Sequence, residues 1–194
     1  MSNTSATGGY LLQGTPRPSE GQELRRFLQS VLVGVTDLQP SLVRQSWQPN
    51  PAPVPSIETN WMAFGIESQR AEAGDPYQRQ LDDGSSLMIR HEELDVACIF
   101  YGPDAQGNAN LLRDSMYLAQ NRESMYAVGM GLVGFSETFH VPELINDRFF
   151  DRADITMTLR REVRREYPVL NFVAANGLIH ANRHVTTLTR EWSV

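Results

Sequence analysis

The segment from Arg90 to Asp104, Arg-His-Glu-Glu-Leu-Asp-Val-Ala-Cys-Ile-Phe-Tyr-Gly-Pro-Asp, constrains the fold of this chain more than any other. Side chains alternate along a strand, so Leu94, Val96, Cys98 and Phe100 fall on one face and Glu93, Asp95, Ala97 and Ile99 on the other. Gly102-Pro103 ends the strand, because proline has no N–H for a ladder. Asp104 then stands where a helix N-cap is wanted. A central strand of about 86–101 running into a helix over 105–119 fixes the middle of an α/β arrangement.

Around that centre the periodicity predicts further elements. Leu24, Phe27, Leu28, Val31 and Leu32 have helical spacing, giving an amphipathic helix over 20–33 with Gly34 as its stop. Trp47-Gln48-Pro49-Asn50-Pro51-Ala52-Pro53-Val54-Pro55 runs extended and stays out of any sheet. Strands are expected over 59–69, 131–139 and 150–164, the last with Ile155, Met157, Leu159 and Arg161 alternating with Thr156, Thr158 and Arg160. Residues 74–84 read as a long polar connection, and Asn121 as the cap of a short helix reaching Val128. Asn176-Gly177, between Val169–Ala175 and Leu178–Thr187, is a two-residue hairpin signal. The expected fold is α+β: a largely antiparallel four-stranded sheet with helices on one face. It divides into a flexible, Ser-, Thr-, Gly- and Pro-rich arm (1–19), a main body (20–168) and a C-terminal hairpin extension (169–194).

Composition excludes several chemistries. All 17 Lys+Arg residues are arginine, so Schiff-base catalysis, a P-loop lysine and a nuclease-type lysine are impossible within the chain. The net charge of −6 argues against a general nucleic-acid binder. No apolar run approaches the ~20 residues needed to span a bilayer, and the first residues lack a signal-peptide pattern. The single Cys98 falls within the central strand and reads as a packed core thiol.

Each candidate site has a plainer reading. Gly129-Met130-Gly131-Leu132-Val133-Gly134 has the letters of a dinucleotide fingerprint but the wrong context, with a helix before it and a strand after it. Its glycines serve to end the helix and turn the chain. His180 and His184 lie on a strand, too far apart for simple chelation. Glu93 and Asp95 share a strand face, as a cation-binding pair would, but pairing with arginine is the simpler account. Gly134-Phe135-Ser136-Glu137-Thr138 lacks the second glycine of a nucleophile elbow. No catalytic, cofactor-binding or metal-binding residue is therefore assigned, and an interaction protein is favoured over an enzyme. The basic run Arg160, Arg161, Arg164 and Arg165 reads either as a solvated face with Glu162 and Glu166 as partners or as a subunit or partner contact, with Asp82 and Asp83 of an adjacent subunit as counter-charges and Trp47 as a further contact.

The ordered set of Ser46-Trp47-Gln48-Pro49-Asn50-Pro51, Asn60-Trp61-Met62-Ala63-Phe64-Gly65-Ile66, the 90–103 segment, Leu111-Leu112-Arg113-Asp114, Gln120-Asn121-Arg122, Pro142-Glu143-Leu144 and Arg164-Arg165-Glu166-Tyr167-Pro168 resembles tailed-phage neck or tail terminator proteins over roughly 20–170. The resemblance implies a non-enzymatic structural protein of the virion neck, made in the host cytoplasm and needing no cofactor. Such a protein caps the tail tube as a ring of six subunits and joins it to the head connector. The implied partners are other copies of the chain, the tail tube protein, connector or collar proteins and the tail sheath, with genomic DNA passing through the lumen without specific binding. Another head–tail joining part or a tail-tube protein is the nearest alternative. A metal-dependent nuclease and a regulatory binding module are more distant ones.

Overall fold

The structure, a computed structural model, describes residues 3–4, 6–14, 17–145, 147–169, 176–183 and 186–193; for Ile145 and for 176–193 it describes the backbone only. The chain divides into two compact units. The larger comprises 18–75 and 90–163, and the smaller 1–17, 76–89 and 164–194.

In chain order the elements are α1 (Gly21–Thr36), β1 (Val43–Gln45), β2 (Trp61–Ala71), β3 (Tyr77–Gln80), β4 (Ser86–Tyr101), α2 (Ala105–Met116), α3 (Glu123–Tyr126), β5 (Met130–Phe135), β6 (Phe139–His140), β7 (Glu143–Ile145), β8 (Arg148–Phe150), β9 (Arg152–Tyr167), β10 (Asn176–Arg183) and β11 (Thr186–Ser193). The main sheet has the order β1-β2-β4-β9-β5, with β3 attached to β4 and β6 to β9. The pairing of β1 with β2 is parallel, while β2–β4, β3–β4, β5–β9 and β6–β9 are antiparallel. The α+β class is thus as expected. The four expected strands, β2, β4, β5 and β9, form the body of the sheet, and three short ones extend it.

One face of the sheet carries the core of the larger unit. Leu94, Val96, Cys98 and Phe100 from β4, Met62 and Phe64 from β2, and Ala153, Ile155, Met157 and Leu159 from β9 are buried with Leu24, Leu28, Val31, Leu32 and Val35 of α1. Helix α2 adds Ala105, Ala109, Leu112 and Met116, a stripe with the spacing of one helix face. A second, smaller cluster joins Trp61, Tyr101 and Phe150, with Ala63 and Ile99 against it.

Several local expectations are corrected. Helix α1 continues through Gly34 to Thr36, and Asp37 supplies the left-handed residue (φ 56°) that ends it. The polar 74–84 connection contains β3, whose residues are all exposed, so no apolar alternation marks it. Asn121 lies before α3 and donates to the Ser115 carbonyl, closing the end of α2 instead. Asp104 occupies the α2 N-cap position without a side-chain capping bond; its backbone N–H is held by Asn60 Oδ1 at 3.0 Å. Strand β5 stops at Phe135, and β9 runs on to Tyr167.

In the smaller unit, β10 and β11 form the expected terminal hairpin, but the turn is elsewhere. Asn176 pairs with Ser193 and Arg183 with Thr186, so the reversal falls between Arg183 and Thr186 and not at Asn176-Gly177. Residues 170–175 of the expected preceding strand, and His184, lie outside the described residues. In the same unit the Gly14 N–H donates to the Glu166 carbonyl at 2.8 Å, and Arg165 donates to Gln13.

Candidate interface site

The middle three strands are joined by two polar ties, one on each face. On the core face Glu92 Oε2 accepts from Gln69 of β2 at 2.8 Å and from Arg161 of β9 at 3.0 and 3.2 Å. Arg161 is only 5% exposed and also donates to the Ser19 carbonyl at 2.7 Å, fastening the chain just before α1. On the other face Asp95 accepts from Ser68 at 2.6 Å, Thr158 at 2.9 Å and Arg70 at 3.4 Å. The Ser68 hydroxyl first, and the Thr158 hydroxyl next, hold the Asp95 carboxyl below its ordinary range. Asp95 reaches Thr158 while Glu92 reaches Arg161, so β4 and β9 run in opposite directions.

These ties settle how Glu93 and Asp95 are used. Glu93 lies 3.7 Å from Arg70, and Asp95 is held by two hydroxyls and the same arginine. Among the described residues no group of three or more His, Cys, Asp or Glu side chains is disposed to hold a metal. Cys98 is buried, and burial pushes its thiol up to about 12, which leaves no thiolate for chemistry. Gly129 (φ 70°) ends α3 and turns the chain into β5, as the helix-then-strand context implies. Ser136 donates to the Glu137 carbonyl and accepts from the Thr156 N–H.

The basic run is split by the strand's alternation. Arg161 points into the core and its guanidinium is engaged within the chain. Arg160 is exposed and pairs with Glu72 at 3.1 Å. Arg164 is exposed, and Arg165 is half-buried against Gln13. Asp82 and Asp83 are exposed in the turn between β3 and β4. Asp83 accepts from the Ser85 hydroxyl and N–H at 2.7 and 2.9 Å, and the hydroxyl bond first among causes lowers its pKa.

Trp47 is 74% exposed and holds a left-handed backbone, φ 55°. Its ring lies over Gly65, where any Cβ would strike it. It borders a groove of about 500 Å³ shared with Gln22, Arg25, Gln45, Asn50 and Ile66. Arg44 explains why the proline segment lies where it does. It donates to the Pro53 carbonyl at 2.7 Å, with its guanidinium 5.4 Å from the Trp61 ring centre.

Sequence reasoning missed a second feature, the β7–β8 hairpin. Glu143 pairs with Phe150 and Leu144 with Phe149 across it. The inner pair is anchored. Phe150 is buried against Trp61 and Tyr101, whose rings stack at 4.3 Å. Glu143 accepts from Arg152 at 2.8 Å and from the Tyr101 hydroxyl at 3.2 Å. Burial first, opposed by the Arg152 charge, pushes the Tyr101 phenol up to about 12, so it remains a donor. The Arg152 pKa is raised, chiefly by its hydrogen bonds to Asp154. The outer pair is not covered: Leu144 is 58% and Phe149 70% exposed. Its two three-residue strands leave no periodic signal in the sequence.

The larger unit thus holds a sheet tied by polar side chains, with exposed apolar and arginine surfaces. Comparison with the curated proteins finds no match. A model of the phage neck terminator protein family matches residues 22–182, most of the chain. The chain therefore belongs to the phage neck terminator protein family, structural components of the virion that are generally non-enzymatic.

Proposed function

We propose that this chain caps the completed tail tube as a closed ring of six copies and presents the surface on which the head connector docks. The family match over residues 22–182 carries this reading. Its partners are then neighbouring copies, the tail tube protein, connector or collar proteins and, in a contractile tail, the sheath. Residues 20–168 form the ring body, while the 1–19 arm and the 169–194 hairpin reach neighbouring proteins. Arg160, Arg164 and Arg165 face Asp82 and Asp83 of an adjacent copy, with Trp47 at a further contact. A ring needs heterologous contacts that close, and arginine pairs carboxylates with fixed geometry. Arg161 contributes by fixing the strand that presents the other three, since its own guanidinium is engaged internally. The net charge of −6 suits a lumen through which DNA must pass without adhering.

The test is the solution mass of the full chain, with negative-stain images of the same sample alone and mixed with tail tubes. A closed ring, in solution or on tube ends, is expected. A monomer that never joins tubes overturns the reading. Changing Arg160 and Arg164 together to Glu should weaken assembly, and an unchanged mass by light scattering would remove that contact.

A further inference from the structure

We propose that the β7–β8 hairpin of one copy seats in the Trp47 groove of the next, with Phe149 against the indole and Asp147 facing Arg25. The proposal rests on the ring reading and names the contact that closes it.

The observations come from both sides of the contact. The hairpin is presented ready to bind: its inner pair, Glu143 and Phe150, is held by Arg152, Tyr101 and the aromatic cluster. Its outer pair, Leu144 and Phe149, and its turn residue Asp147 are exposed. Asp147 holds φ 61°, a left-handed conformation that Asp tolerates better than most non-glycine residues. An apolar pair on a pre-organised element loses little conformational entropy when it docks. The groove has the complementary character. None of its lining residues is acidic, and Arg25 donates to the neutral Gln22 oxygen at 3.2 and 3.3 Å. Neither Arg25 nor Asp147 forms an ion pair among the described residues. Trp47, the side chain type most enriched at binding hot spots, stands 74% exposed on a left-handed backbone. Within one chain the two surfaces leave each other uncovered. Hairpin and groove are different surfaces, so their contact between copies is head-to-tail, the kind that closes rings.

The experiment uses the full chain. Phe149→Ser, Trp47→Ala and Asp147→Arg should each weaken self-association at least tenfold by sedimentation velocity, with unchanged circular dichroism. Combining Asp147→Arg with Arg25→Asp should restore most of it, because the ion pair is rebuilt with its charges exchanged. A second arm traps the contact covalently, so it reads even weakened association. Chains carrying Trp47→Cys mixed with chains carrying Phe149→Cys should form disulfide-linked pairs, while neither does so alone; the native Cys98 is buried and does not compete. If the wild type forms rings and the variants assemble with equal affinity and no mixed disulfide, this contact is overturned while the ring reading stands. If the wild type never self-associates, alone or on tail tubes, both fall. If a variant unfolds, the mixed-disulfide result decides.

Discussion

Arg161 shows how much one side chain settles. Its guanidinium is buried against Glu92 and the Ser19 carbonyl, so removing either charged partner strands the other in the core. Arg161→Met should cost about 3–5 kcal/mol in the urea unfolding free energy. Arg161→Met combined with Glu92→Leu should recover most of that, since no buried charge remains. The alternation puts Arg161 on the Ile155, Met157 and Leu159 face, but a run of four arginines reads as a surface contact, so its burial emerges only in the structure. Its partner was not legible either, because Glu92 is 69 residues away and sequence periodicity reports faces, not neighbours. Asp95 gives a pH prediction. Its pKa is depressed in the fold, so the folded state binds fewer protons there than the unfolded chain does near its ordinary value of 3.8. The stability it contributes is present above that value and is lost as pH falls through the folded one. Asp95→Asn should remove this part of the acid-side fall in melting temperature.

Among the elements, the long ones were readable and the short ones were not. The span of β4 was readable because sixteen residues give alternation time to show, with Gly102-Pro103 to stop it. Strand β3 escaped because all four of its residues are exposed, and the β7–β8 hairpin because each arm has three residues. The terminal hairpin was expected, yet a strong local turn signal at Asn176-Gly177 lost to the register that pairs Asn176 with Ser193. The junction from β4 to α2 carries its own prediction. Gly102 has φ 109°, and an added Cβ would lie 2.6 Å from the Thr59 carbonyl oxygen. Gly102→Ala should therefore cost at least about 1–3 kcal/mol, read as a lower thermal midpoint. Gly65→Ala meets only the Trp47 ring, a movable side chain, so it should cost less than about 1 kcal/mol and shift indole emission.

For the whole molecule, charge and composition matter more than any single contact. Without lysine, every positive group is a guanidinium suited to paired contacts with carboxylates, and carboxylates outnumber them 23 to 17. The full chain should not retard duplex DNA in gel-shift assays at about 0.15 M salt, where nonspecific binders rely on clustered cations. Retardation there would count against a lumen that releases DNA. The candidate ring contacts were only half legible. The arginine run and Trp47 are visible in the sequence as candidates, whereas the surface proposed to meet Trp47 forms only when the hairpin folds. The hairpin's construction has a consequence for quality control. Its outward pair is held in place through an inner pair that engages Trp61, Tyr101 and Arg152, residues contributed by β2, β4 and β9. A subunit with an unfinished sheet has no formed plug to offer its neighbour. Under the proposed contact, joining the ring would thereby select for subunits whose sheet is complete.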